Sequence, residues 1–178
     1  MNIPNILTII RIVLVPVYLY VFYNAENILY AGLVFALAGL TDALDGRIAR
    51  KYNMTSKIGA ALDPLADKLM TFAVLISFTS IDLIPLWVVL IIGIKEVLMI
   101  LGGVVLYLFK EKRVLPSNKF GKSATISFYT TISAIVLRIP FPGLIKLLIF
   151  ITVSLNIIAF LNYLRIFLSN NSDGEFIR

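Results

Sequence analysis

The feature that most constrains this chain is a succession of apolar runs, each close to the length that crosses a bilayer. A membrane-spanning helix needs about 20 mostly apolar residues. The runs extend from about Asn5 to Tyr23, Ile28 to Asp45, Ile58 to Ser80, Leu86 to Phe109, Ser123 to Leu137 and Leu144 to Leu168. The sequence therefore predicts an all-α fold, an integral membrane bundle of six transmembrane helices that forms a single domain over residues 1–178.

The composition excludes several kinds of chemistry. The chain has no cysteine and no histidine, so disulfides, thiolate or imidazole metal sites and serine–histidine triads are ruled out. Carboxylates, amines, guanidinium groups and hydroxyls remain for any reaction. The net charge of +6 comes from basic residues that lie between the apolar runs. This placement indicates contact with anionic lipid headgroups rather than with nucleic acid.

The distribution of lysine and arginine predicts the orientation of the helices. Basic residues concentrate in the connections after the second and fourth runs, at Arg47, Arg50, Lys51, Lys57, Lys110, Lys112, Arg113, Lys119 and Lys122. The opposite side carries mainly Arg138 and Lys146. Because loops rich in lysine and arginine stay in the cytoplasm, both termini and both basic loops are predicted to be cytoplasmic.

Four of the ten acidic residues lie close together at the predicted cytoplasmic boundary: Asp42, Asp45, Asp63 and Asp67. The first two are three residues apart and the last two are four apart, so each pair shares one helix face. A charged side chain at the centre of a membrane helix costs about 2.5–3.5 kcal/mol, so the cluster needs a positive partner. Oxygen ligands alone suit Mg²⁺, Mn²⁺ or Ca²⁺, and a pair of such ions suits phosphoryl chemistry.

A structural interpretation of the same residues is that the aspartates cap helices or pair with Arg47, Arg50 and Lys68. Pro64 fits the first turn of a helix that Asp63 caps, and it kinks the helix if the helix begins earlier. Small residues beside the acids allow either close helix packing or access for a ligand. They are Gly46, Ala49, Gly59, Ala60 and Ala61.

The acidic stretch resembles a known signature. It matches D-x2-D-G-x2-A-R-x8-G-x3-D-x3-D at each fixed position, with Asp42, Asp45, Gly46, Ala49, Arg50, Gly59, Asp63 and Asp67. This is the signature of the CDP-alcohol phosphatidyltransferases. The resemblance implies a six-helix membrane fold that often forms a homodimer, and an enzyme in which an alcohol displaces CMP from a CDP-linked lipid with two divalent cations, Mg²⁺ or Mn²⁺.

The resemblance also implies roles for the matching residues. The metal ligands would be Asp42, Asp45, Asp63 and Asp67, and Asp67 would in addition be the catalytic base. The CDP-lipid would be bound by Asp42, Gly46, Ala49, Arg50 and Gly59, with Arg50 on the diphosphate, a group that arginine suits well.

Two further stretches, "NIPNILTIIRIVLVP" and "LDPLADKLM", resemble bacterial phosphatidylglycerophosphate synthases. That subgroup transfers the phosphatidyl group of CDP-diacylglycerol to glycerol 3-phosphate in the cytoplasmic membrane. The second half departs from it, because Lys95-Glu96 replaces an Arg-Glu pair, Gly102 stands where a later arginine is common, and "GKSAT" lacks a second lysine. The chain is also similar to cardiolipin synthases of the same superfamily, whose acceptor is phosphatidylglycerol.

Basic residues that could bind an acceptor phosphate are Arg11, Lys95, Lys119, Lys122 and Arg165. Alternatively, Lys95 pairs with Glu96, and Lys119 and Lys122 set topology and contact headgroups. From another class, a small cation transporter would spread its acids across the membrane depth. The concentration of acids at one boundary favours the enzyme.

Overall fold

The computed structural model describes residues 3–52, 57–109 and 119–172, and within them the side chains of 5–48, 62, 65–102 and 119–165. The described residues form six α-helices and no strand. The helices are α1 (Ile3–Asn24), α2 (Ile28–Tyr52), α3 (Lys57–Ser80), α4 (Leu86–Phe109), α5 (Lys119–Val136) and α6 (Pro142–Ser172). The predicted all-α fold is therefore confirmed.

The helix ends show where hydropathy is a sufficient guide. The helix α4 has the predicted bounds, whereas α5 and α6 begin earlier than predicted, at Lys119 and Pro142. The start of α6 at Pro142 is compatible with helix geometry, because proline is tolerated in the first turn, where its missing N–H would have no partner in the helix. The predicted start of the third helix near Ile58 is confirmed, because α3 begins at Lys57. The alternative in which Asp63 caps the start of that helix is wrong, because α3 includes position 64.

Residues 1–85 form one compact unit, made of α1, α2 and α3. Within it α1 lies against both α2 and α3, while α2 and α3 make few direct contacts with each other among the described residues. The buried residues of α2 are spaced three or four apart, at Ala31, Phe35, Ala38, Thr41 and Asp45. Residues at this spacing share one helix face, so Asp45 continues the stripe that packs in the interior.

The buried face of α1 includes Thr8, Arg11 and Tyr18. Near the other end of the helix, the rings of Phe22 and Phe78 lie with their centroids 5.6 Å apart, which joins α1 to α3. Aromatic rings at this distance add to the stabilisation from area burial. Aromatic packing therefore holds one end of α1 against α3. The buried polar residues of α1, Thr8 and Arg11, lie on the same helix face as this aromatic contact.

Residues 86–178 form the second compact unit, in which α6 contacts both α4 and α5. Its buried positions include both apolar and polar residues, among them Val88, Ile92, Glu96, Phe128, Thr131, Ile132, Ile149, Thr152, Val153 and Asn156. Buried polar groups are nearly always hydrogen-bonded. The partners are described with the candidate site below.

Three of the helices contain described segments long and apolar enough to cross a membrane, namely Asn5–Asn24, Ile28–Ile48 and Pro142–Arg165. Large apolar side chains on their outer faces are exposed, among them Val13, Leu33 and Phe150. Such a surface is costly in water and favourable in lipid. Both units therefore contain at least one helix suited to a bilayer.

Candidate active site

Asp42 and Asp45 share one partner, the guanidinium of Arg11 on α1. Nη1 of Arg11 lies 3.0 Å from Oδ1 of Asp42, and Nη2 donates a hydrogen bond to Oδ2 of Asp45. Arg11 is 2% exposed, and the Asp45 side chain is 7% exposed, whereas that of Asp42 is 49% exposed. The two carboxylates therefore differ: one is enclosed with the arginine and the other reaches the surface.

This arrangement follows from the helix spacing. Residues three apart lie on neighbouring positions of one helix face, so Asp42 and Asp45 can approach the two Nη atoms of one guanidinium. Arginine stays charged in proteins and has five N–H donors in a planar fork. The acidic cluster was predicted to need a positive partner. For the two acids on α2 that partner is Arg11 of α1, which the sequence indicated only as a candidate for binding the acceptor phosphate.

Asp67 on α3 has a different environment. Its Oδ2 lies 3.3 Å from Nζ of the adjacent Lys68, and its side chain is 32% exposed. The hydroxyl of Thr71 donates to the backbone carbonyl of Asp67, at 3.0 Å. Of the pairings considered from the sequence, the one between Lys68 and Asp67 is present. Exposure of this size leaves the carboxylate accessible to a substrate.

The remaining motif residues lie partly outside the described side chains. Gly46 is half-buried on α2. Ala49, Arg50, Gly59 and Asp63 were predicted to bind the CDP-lipid or a metal, and they lie outside the residues whose side chains the structure describes. Among the side chains that are described, no three acidic groups come close enough to hold one metal ion. Of the predicted metal ligands whose side chains are described, the structure brings Asp42 and Asp45 together on one partner, Arg11.

In the second unit, Lys95 of α4 is held by two groups. Its Nζ lies 2.5 Å from Oε1 of Glu96 and donates to Oδ1 of Asn156 on α6, at 2.9 Å. Asn156 in turn donates to the backbone carbonyl of Thr152, at 2.8 Å. The ion pair considered from the sequence is therefore present, and Asn156 is an additional partner of Lys95.

A hydroxyl cluster continues from Asn156 to α5. The Thr152 hydroxyl lies 2.7 Å from that of Ser127 and 2.8 Å from that of Thr131. Sequence reasoning missed these residues. The available signal was the spacing of Thr152 and Asn156, two polar residues four apart in an apolar helix, which share one face.

The other predicted acceptor residues are at the surface. Lys119, Lys122 and Arg165 are exposed. A Cβ added at Gly102, where an arginine is common in the subgroup noted above, would lie 3.0 Å from the hydroxyl oxygen of Tyr163. A larger residue at position 102 would therefore require Tyr163 to move.

Comparison with known proteins gives the family. The sequence profile described as CDP-alcohol phosphatidyltransferase matches residues 1–162. The chain belongs to the CDP-alcohol phosphatidyltransferase family. The predicted family and enzyme class are thereby confirmed, and the cation-transporter alternative has no support.

The relatives divide between two activities. The chain is 39% identical to the CDP-diacylglycerol–glycerol-3-phosphate 3-phosphatidyltransferase of Aquifex aeolicus, over 71% of this chain and 70% of that protein. The Bacillus subtilis protein of the same name is 34% identical over 79% of each chain. A putative cardiolipin synthase of Mycobacterium tuberculosis is 33% identical over 77% of this chain and 65% of that protein. These phosphatidyltransferases act in phospholipid biosynthesis, which is the confirmed general role of this chain.

Proposed function

We propose that this phosphatidyltransferase transfers the phosphatidyl group of CDP-diacylglycerol to glycerol 3-phosphate, with release of CMP and formation of phosphatidylglycerophosphate. The observation that carries the proposal is the complete family signature. Two of its acids, Asp42 and Asp45, lie on one helix face and both pair with the guanidinium of Arg11. The Aquifex aeolicus and Bacillus subtilis relatives, which are named glycerol-3-phosphate phosphatidyltransferases, match this chain over 70% and 79% of their length.

Two divalent cations, Mg²⁺ or Mn²⁺, fit the donor set of this site. The motif offers carboxylate oxygens and neither sulfur nor imidazole ligands, which is the preference of hard cations. Asp42, Asp45, Asp63 and Asp67 would hold the ions. When bound, the ions would neutralise the diphosphate and the departing CMP.

The residues of the motif would have separate roles in binding the substrate and in proton transfer. Arg50 would bind the diphosphate through its planar fork of donors, and Gly46, Ala49 and Gly59 would leave room for the nucleotide. Asp67 would accept the proton of the attacking hydroxyl while the new bond forms from that oxygen to the phosphorus next to diacylglycerol and the bond from that phosphorus to CMP breaks. The 32% exposure of the Asp67 side chain is compatible with access for the alcohol.

A cardiolipin synthase that uses phosphatidylglycerol is the second candidate. Relatives with that name match a large share of this chain, 77% for the mycobacterial protein. Gly102 in place of an arginine also reduces the positive charge available to a free phosphate. The candidate groups for the acceptor remain Arg11, Lys95, Lys119, Lys122 and Arg165, of which Arg11 and Lys95 already have partners.

We further propose six membrane spans in one catalytic domain over residues 1–178, a homodimer in the bacterial cytoplasmic membrane, cytoplasmic termini and an active site at the cytoplasmic face. The supports are the family match across both units, three helices suited to a bilayer and the cytoplasmic bias of basic loops. A site at the interface lets the acyl chains of the donor remain in lipid while the headgroup reacts.

The decisive experiment measures CMP release from CDP-diacylglycerol by the purified protein with Mn²⁺ or Mg²⁺. Glycerol 3-phosphate, phosphatidylglycerol and free alcohols are supplied separately. We expect CMP with glycerol 3-phosphate and none when EDTA replaces the metal. Product from phosphatidylglycerol alone would establish the second candidate, and no CMP with any acceptor in a folded sample would refute both.

The role of Asp67 is tested by Asp67→Asn, with Lys68→Gln as the matched control beside it. We expect Asp67→Asn to abolish turnover while CDP-diacylglycerol binding is retained, because the amide keeps the size of the side chain and loses the base. Lys68→Gln should retain turnover. If Asp67→Asn weakened Mn²⁺ binding as much as turnover, the residue would be a metal ligand and not a base.

A further inference from the structure

Arg11 is the largest side chain that is almost completely enclosed in the first unit. A buried guanidinium is tolerated when acids balance its charge and accept its hydrogen bonds. Asp45 does both, and Asp42 balances the charge from 3.0 Å without accepting a hydrogen bond from Nη1. The three side chains together carry one net negative charge, so the assembly is nearly balanced without any metal.

The guanidinium also has two nitrogens whose hydrogen-bonding capacity is not used. Nε and Nη1 of Arg11 are buried and have no hydrogen-bond acceptor among the described residues. Buried N–H groups are nearly always satisfied. The pairing with Asp42 and Asp45 therefore leaves the hydrogen bonding of Arg11 incomplete.

We propose that Arg11 is an exchangeable counter-ion: it holds Asp42 and Asp45 in the metal-free protein and yields their oxygens when a divalent cation binds. The inference rests on the proposed metal-dependent function. A divalent ion and a guanidinium compete for the same atoms, Oδ1 of Asp42 and Oδ2 of Asp45, and two cations that close repel each other. Arg11 thereby keeps the acids in position before the metal arrives and opposes its binding.

A fixed structural bridge predicts a different response to mutation. If Arg11 only braced α1 against α2, its removal would destabilise the metal-free and metal-bound proteins equally. If it exchanges with the metal, its removal harms mainly the metal-free protein, because the metal replaces the lost positive charge. Removal of the competitor would also strengthen metal binding.

The test uses the full chain in detergent micelles, with Arg11→Gln, Arg11→Lys and the control Lys68→Gln. Thermal unfolding is measured in EDTA and in saturating Mn²⁺, and Mn²⁺ affinity is measured from the paramagnetic resonance signal of the free ion. We expect Arg11→Gln to melt well below the wild type in EDTA and to recover at least half of that difference in Mn²⁺. It should also bind Mn²⁺ roughly tenfold tighter, because a positive charge close to the ion is removed. Lys68→Gln, which alters a more exposed pair, should change all three quantities less.

Equal losses in EDTA and Mn²⁺, or weaker Mn²⁺ binding by Arg11→Gln, would overturn the proposal. If Arg11→Gln does not fold, Arg11→Lys decides, because lysine keeps the charge but cannot bridge both carboxylates with a planar fork. Arg11→Lys should then melt below the wild type in EDTA and recover at least half of that difference in Mn²⁺, and equal losses in the two conditions would refute the exchange. A wild type that binds Mn²⁺ but releases no CMP would contradict the proposed function alone, whereas a wild type that binds no Mn²⁺ would contradict both.

Discussion

The two acids that contact Arg11 should contribute unequally to stability although the family signature treats them alike. Replacing Asp45 with asparagine removes a carboxylate whose side chain is 7% exposed, whereas the same change at Asp42 affects one that is 49% exposed. Breaking a buried ion pair costs about 3–5 kcal/mol because a charge is left uncompensated. Exposed pairs contribute about 0–1 kcal/mol.

The expected magnitude for Asp45→Asn is at the lower end of the buried range, about 3 kcal/mol, because Arg11 keeps Asp42 as a partner. For a chain of this size, 1 kcal/mol shifts the midpoint of thermal unfolding by about 2–4 °C. Asp45→Asn should therefore lower the midpoint by about 6–12 °C, and Asp42→Asn by at most about 4 °C.

The assay is circular dichroism of the helices during heating, in detergent with EDTA, so that no metal masks the effect. Tryptophan fluorescence is less suitable, because the single tryptophan, Trp87, lies in the other unit. Both variants are expected to lose CMP release, which is measured in parallel. Equal losses of stability in the two variants would refute the reasoning that burial sets the cost of the unpaired guanidinium.

Two predictions concern the second unit. Asn156→Leu removes an acceptor of the Lys95 ammonium. A double-mutant cycle with Lys95→Met should give a coupling of about 0.6 kcal/mol and at most about 1.7 kcal/mol, the average and maximum measured for hydrogen bonds between membrane helices; a coupling near zero would contradict the hydrogen bond. Gly102→Ala gains about 1 kcal/mol of helix propensity but places a Cβ 3.0 Å from the Tyr163 hydroxyl oxygen. It should be nearly neutral in the wild type and stabilising by about 1 kcal/mol in Tyr163→Phe, and thermal unfolding that shows the same effect in both backgrounds would contradict the contact.

The helices were predictable where hydropathy alone decides them. The helix α4 begins after Pro85 and is apolar throughout most of its length, so its bounds agree with the prediction. The start of α5 was placed too late because Lys119 and Lys122 interrupt the apolar run. Helix formation depends on backbone hydrogen bonds, and a polar first turn satisfies them as well as an apolar one.

The candidate site was predictable to the extent that it depends on spacing. Residues three or four apart share a helix face regardless of what packs against it, so the pairing of Asp42 with Asp45 followed from the sequence. The partner of that pair did not, because it depends on which face of α1 meets α2. The one signal was a charged residue, Arg11, within an otherwise apolar run, and that signal has several explanations until the helices are placed.

The position of Arg11 on the first helix has a consequence for how the chain is made. A protein is synthesised from its N-terminus, so the guanidinium precedes by 34 residues the carboxylate of Asp45 that it contacts. The helix α1 is long and apolar enough to enter a bilayer, and its positive charge is then present when α2 follows with its acids. The cost of burying the carboxylate of Asp45 falls because its neutralising partner has arrived first. A rearranged chain in which α2 preceded α1 would bury this aspartate before that partner was present.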